Sequence, residues 1–171
     1  MYFFALAACS GNGSSVKGNR PAQPPVAPAR SCSAIGWIDD TGDDPQRDLI
    51  EEIYEAACQR DYSRLQKTMG DGFHSQYGSH SAPVTIRLFK EFDASRKDIE
   101  TLPRLLEGKP VTDQGGITYV LGRAVAVFPR PVQDTQPSWS LYVPNCSAVP
   151  DLSVAEECKL DISLFNQAAD H

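Results

Sequence analysis

Residues 102–130 read LPRLLEGKPVTDQGGITYVLGRAVAVFPR, and the period of the chain changes inside them. Before Gly108, Leu102, Leu105 and Leu106 recur at the spacing of one helix face, and the glycine stops the run. After it, Val111-Thr112, the turn-forming Asp113-Gln114-Gly115-Gly116, and Ile117 to Leu121 read as strand, turn and strand. Arg123 to Phe128 is a further apolar run, with Val125 and Val127 on one side. Helices first and strands afterwards is the order of an α+β domain rather than an alternating α/β one. The expectation is N-terminal helices packed on a small C-terminal antiparallel sheet.

Upstream, the helices carry their own start and stop signals. Asp44-Pro45 pairs an N-cap carboxylate with proline at the first helical position. Leu49, Ile50, Ile53, Tyr54 and Ala57 follow on one face, with Cys58 at its edge. Asp61 caps a second, short helix carrying Tyr62, Leu65 and Met69 and ending at Gly70. Ser81 starts a third, with Pro83 in its first turn and Val84, Leu88, Phe89 and Phe92 as its stripe. The fourth spans Asp98 to Glu107. Downstream, Trp139, Leu141 and Val143 alternate with Ser138, Ser140 and Tyr142, which predicts a strand with one buried face. The stretch NCSAVPDLSVAEEC, 145–158, is rich in turn formers and reads as loop.

The other end of the chain begins MYFFALAACSGNGSS. The apolar run is far shorter than the about 20 residues needed to span a bilayer. Leu6-Ala7-Ala8-Cys9 resembles the lipobox of bacterial lipoproteins, where a signal peptide is cut and the new N-terminal cysteine is acylated. The resemblance implies a lipid anchor on Cys9 and a partial signal over residues 1–9. Signal peptides carry a basic n-region, and no Lys or Arg precedes Cys9, so the true start is expected upstream. Residues 10–31 read as a tether, flexible through SGNGSSVKGN and extended through RPAQPPVAPAR. Residues 32–171 are then a single disulfide-stabilised α+β domain.

The chain has five cysteines, an odd number. With Cys9 carrying lipid, Cys32, Cys58, Cys146 and Cys158 remain and can close two bridges in an oxidising compartment. Three pairings are open. Cys32–Cys58 and Cys146–Cys158 are favoured, because the first ties the entering chain to a helix and the second closes a short segment. No CxxC pair, the usual mark of a zinc site, is present.

The formal net charge is -6, and no basic footprint for nucleic acid is present. Residues 32–60 hold eight acids against Arg47 and Arg60. Asp39, Asp40, Asp43 and Asp44 lack the glycine and glutamate positions of a calcium loop. They read as carboxylates gathered at a helix N-terminus, or as an acidic docking patch for a basic partner. In DGFHSQYGSHS, Asp71, His74, Tyr77 and His80 form the one compact polar group with metal-binding or proton-shuttling chemistry. Their spacing matches no recognised metal motif, and a polar loop between helices accounts for them as well. No G-x-S-x-G, H-E-x-x-H, S-x-x-K or Walker motif occurs. No catalytic residue, metal or cofactor is assigned.

The helix pair in LIEEIYEAACQRDYSRLQKTM resembles the opening of NTF2-like domains and of uncharacterised bacterial envelope proteins that place such a pair before an antiparallel sheet. Two functions follow as expectations. The first is an envelope lipoprotein, held at the outer membrane and facing the periplasm, whose domain binds a basic envelope protein without catalysis, as inhibitors and immunity proteins do. The second, implied by the NTF2-like resemblance, is a small periplasmic enzyme or ligand carrier with a pocket between helices and sheet. Trp37 and Trp139 are expected as core or interface residues rather than as sugar platforms, and the face they occupy discriminates.

Overall fold

The computed structural model describes residues 32–36, 45–112, 114–132, 135–150 and 152–169. The residues read as a lipobox and a tether, and the segment holding Trp37, Asp39, Asp40, Asp43 and Asp44, lie outside the described residues. Helix α1, Pro45–Gln59, buries Ile50, Ile53, Tyr54 and Ala57, as its period demands. Gln46 is also buried, because its Nε2 donates to the carbonyls of Phe128 and Pro129 at 2.8 and 2.7 Å. Arg60 turns the chain with a left-handed φ of 53°. Asp61 then caps α2, Tyr62–Thr68, its Oδ1 accepting from the amides of Ser63 and Arg64.

Helices α3, Ala82–Arg96, and α4, Asp98–Leu106, meet at Lys97, which is left-handed with φ 56°. Ser81 stands at the N-cap of α3 but makes no side-chain cap bond. Asp93, near the end of α3, caps α4 instead: its Oδ1 accepts from the amide of Ile99 at 2.8 Å. Residues 32–36 strap across the end of α4. The Gly36 amide donates to Leu106 O, and a Cβ on Gly36 would stand 2.1 Å from Gly108 O, so only glycine fits there. Cys32–Cys58 pins this strap to α1, and Cys146–Cys158 closes the second bridge, with Cα separations of 6.2 and 5.9 Å.

The four strands expected after Gly108 are present: β3, Val111–Thr112; β4, Gly116–Leu121; β5, Ala124–Pro129; and β6, Trp139–Val143. They pair antiparallel in chain order. The sheet is nonetheless mixed, not antiparallel. Residues read as a helix end and a polar loop form β1, Met69–Ser75, and β2, Gly78–Ser79. β1 lies parallel to β6, giving the order β2-β1-β6-β5-β4-β3. Two glycines and an aspartate in MGDGFHS conceal that strand, since none of them favours a sheet.

A second correction concerns the end of the chain. The segment read as loop leads through a 3-10 turn, Cys146–Ala148, into α5, Leu152–Ala169. That helix covers the face of the sheet opposite α1–α4. Val125, Leu141 and Val143 point to it and pack with Val154 and Cys158. Ala124, Ala126, Phe128 and Tyr142 point to the helical layer. β6 is therefore buried on both faces, and Tyr142 is not on a solvent side as its alternation with Leu141 suggested. The layers run helices, sheet, helix.

Candidate functional site

Between Met69 and His74 the register of β1 against β6 shifts. The chain loops out through Gly70-Asp71-Gly72, where Gly72 has φ +75°. This irregularity lifts Asp71 off the sheet into an open groove of about 440 Å3 beside Ser79, His80 and the first turn of α3. His80 shares the groove, and its Nε2 lies 2.9 Å from Tyr77 O. A carbonyl only accepts, so the ring donates there and a neutral imidazole presents Nδ1 as an acceptor.

The other two residues of the polar group go elsewhere. His74 faces α5, its Nδ1 2.8 Å from Glu157 Oε2. Tyr77 turns into the helical layer, stacks on Phe92 with ring centroids 5.4 Å apart, and donates to Asp98 Oδ2 at 2.5 Å. The structure thus brings Asp71 and His80 to one groove and sends His74 and Tyr77 to separate faces. Among the described residues, no group of three or more His, Cys, Asp or Glu side chains is disposed to hold a metal ion.

Sequence reasoning overlooked two features. The first is a buried polar knot. Asp98 is 2% exposed and accepts from Gln76 Nε2 as well as from Tyr77, while its backbone carbonyl accepts from the Tyr142 hydroxyl. Asp93, also buried, accepts from the Tyr62 hydroxyl at 2.8 Å. Burial, then the Asp93 hydrogen bond, raises the Tyr62 phenol well above its ordinary range, and burial does the same to Tyr142. These phenols stay protonated and donate. The knot fastens β1–β2 and β6 to the α3–α4 corner, and its groups are spent on one another.

The second feature lies on the far face. Only the first half of α5 is sealed against the sheet. Its second half leaves a groove of about 230 Å3 against β3 and β4, with Thr118 and Val127 on one wall and Asp161, Leu164 and Phe165 on the other. Burial, then the nearby Glu157 carboxylate, pushes Asp161 up from 3.8 to about 6. The facing residues Val111, Gly115, Gly116, Thr118 and Val127 contribute no ionisable group.

The shift has a sign. A carboxyl whose folded pKa is raised holds its proton in the folded state while the unfolded chain has lost it. Stability therefore falls as pH rises from about 4 to about 6. Taken whole, the shift corresponds to about 3 kcal/mol. Because the group is half in water, screening reduces this to about 1 kcal/mol. Asp161→Asn should raise stability by about that amount at pH 8 and leave it unchanged at pH 3.5. Urea titrations of both proteins at the two pH values check this, and an equal effect at both would remove the charge from the account.

No helix among the described residues is long and apolar enough to cross a membrane. No family model matches the chain, and no curated protein and no solved structure matches it.

Proposed function

We propose that the chain is a lipoprotein of the bacterial cell envelope, held at the outer membrane through acyl chains on Cys9, whose domain binds a basic macromolecule in the periplasm without catalysis. An inhibitor or an immunity-type protein has these needs. The anchor rests on the resemblance of Leu6-Ala7-Ala8-Cys9 to a lipobox. The two disulfides support an oxidising compartment, where such bonds persist.

The observation that carries the binding reading is the filling of the interior. A ligand carrier or small enzyme of NTF2-like type would hold its ligand between helices and sheet. That space is occupied by wholly buried Phe73, Phe89, Phe128, Trp139 and Tyr142, whose rings contact one another in a continuous series. What remains for recognition is surface. Asp39, Asp40, Asp43 and Asp44 are proposed as an acidic docking patch, since such clusters speed encounter with cations.

Two measurements test the reading. Cys9→Ser, expressed with a complete signal, should move the domain from the membrane to the soluble envelope fraction; a variant that stays membrane-bound at unchanged mass disproves the anchor. Affinity capture from envelope extract should yield a basic protein. Its association should slow and lose salt dependence when Asp39, Asp40 and Asp43 become asparagine. A neutral or acidic catch, or an enzymatic turnover, would refute it.

A further inference from the structure

This inference rests on the binding reading above and deepens it by naming a seat and the chemistry that fits. The second half of α5 carries two leucines one turn apart, Leu160 at 58% and Leu164 at 50% exposure, and Leu164 lines the groove against β3 and β4. Residues four apart on a helix lie on one face, so the two form a continuous apolar ridge that reaches the groove at Leu164. Asp161 stands between them in sequence and lines the groove itself. Among the described residues it has no hydrogen-bond or ion-pair partner, while Glu157 one turn earlier is engaged by His74. A half-buried carboxylate beside a second acid and apolar walls lacks a cation.

We propose that this groove seats a cationic amphipathic segment of a partner protein, which lays apolar side chains on Leu160 and Leu164 and directs a lysine or arginine to Asp161. The volume fits that occupant: about 230 Å3 is below the roughly 300–1,000 Å3 of pockets that enclose a small-molecule ligand, and suits a side chain or two. Charge decides among the alternatives. The exposed part of α5 offers Glu156, Glu157 and Asp161 against Lys159 alone, so a second copy pairing the same face would oppose acid to acid. An anionic lipid surface is repelled for the same reason.

The test uses the full chain, labelled with 15N, and a synthetic 12-residue peptide of lysine and leucine at helical spacing. A control peptide replaces lysine with glutamate. The cationic peptide should shift amides of residues 158–166 and of β4, and the acidic one should not. Asp161→Asn and Leu164→Ser should each weaken the cationic peptide about tenfold, the scale of one lost charge-assisted or apolar contact. Both positions are at the surface, so the amide spectrum elsewhere verifies that the fold is kept. Affinity should fall between pH 7 and pH 5 as Asp161 takes up a proton, and Asp161→Asn should remove that dependence, which separates it from the His74–Glu157 pair.

Wild-type affinity in both variants would overturn the seat. If the shifts then fall near residues 39–44, the basic-partner reading stands and only this location fails. No shift anywhere with the cationic peptide also overturns the seat, and the envelope capture then decides the wider reading separately. Concentration-dependent sedimentation that Leu160→Ser abolishes would make a second copy the occupant and overturn the proposal.

Discussion

Trp139→Ala should destabilise the domain by about 4 kcal/mol, the usual cost of removing a large aromatic side chain from a packed core. Trp139 is wholly buried at the start of β6. Its ring meets Phe73 edge-on with centroids 4.8 Å apart, stacks on Phe128 at 6.3 Å, and lies 5.6 Å from Tyr142. One side chain thus joins β1, β5 and β6. Its Nε1 donates to Leu141 O, so the alanine variant also removes that buried hydrogen bond. Trp139→Phe keeps most of the contact area and should cost far less. Guanidinium denaturation measures both, and a loss under about 1 kcal/mol for alanine would mean that the site collapses or admits water.

Asp98→Ala should cost a similar amount, about 4 kcal/mol, by a different mechanism. It removes little apolar contact but leaves the Gln76 amide and the Tyr77 hydroxyl without their shared acceptor inside the protein. Each buried group left unpaired costs about 1–3 kcal/mol, and bonds to a carboxylate stand at the upper end. Tyr77→Phe alone should cost about 1.5 kcal/mol, because Asp98 keeps Gln76. The double variant should fall short of the sum by at least about 1 kcal/mol, since both changes remove the same Tyr77–Asp98 bond. Additive losses would show that the two side chains do not depend on each other.

The elements that could be read from residues alone are those with local signals. Asp61 and Pro45 mark helix starts, Gly108 marks a stop, and the turn formers Asp113 to Gly116 announce the β-branched and aromatic run from Ile117 to Leu121. β1 escaped because what makes it a strand is β6, 70 residues later in the register Met69↔Trp139. Its own glycines and Asp71 belong to the irregularity and argue against a sheet. α5 escaped for another reason. Val154, Cys158, Ile162 and Phe165 do form a helical stripe, but Pro150 and a cysteine pair at short spacing read as a closed loop.

The candidate sites divide the same way. Asp71, His74, Tyr77 and His80 were visible as a cluster because they are near in sequence, and sequence nearness does not make them converge. Strand alternation and the turn after Ser75 send them to different faces. The Asp98 knot gave no local sign, since Gln76, Tyr77 and Tyr142 reach it from other elements. Leu160 and Asp161 could have been noticed once residues 152–169 were taken as a helix, because two leucines then stand outside the buried stripe.

The parallel pairing of β1 with β6 also bears on how the domain is assembled. β1 is made early, and the strand it must join is made after five intervening elements besides β2. Until the two join, β6 has one unpaired edge and β1 has only the two-residue β2 beside it. Contacts so distant along the chain carry a large loop-closure cost and slow folding. The helices α1 to α4 have mainly local partners and can form first. Sheet completion is thus the late, concerted step, and an exposed strand edge persists until it occurs, which is when such a chain is most prone to pair with a neighbour.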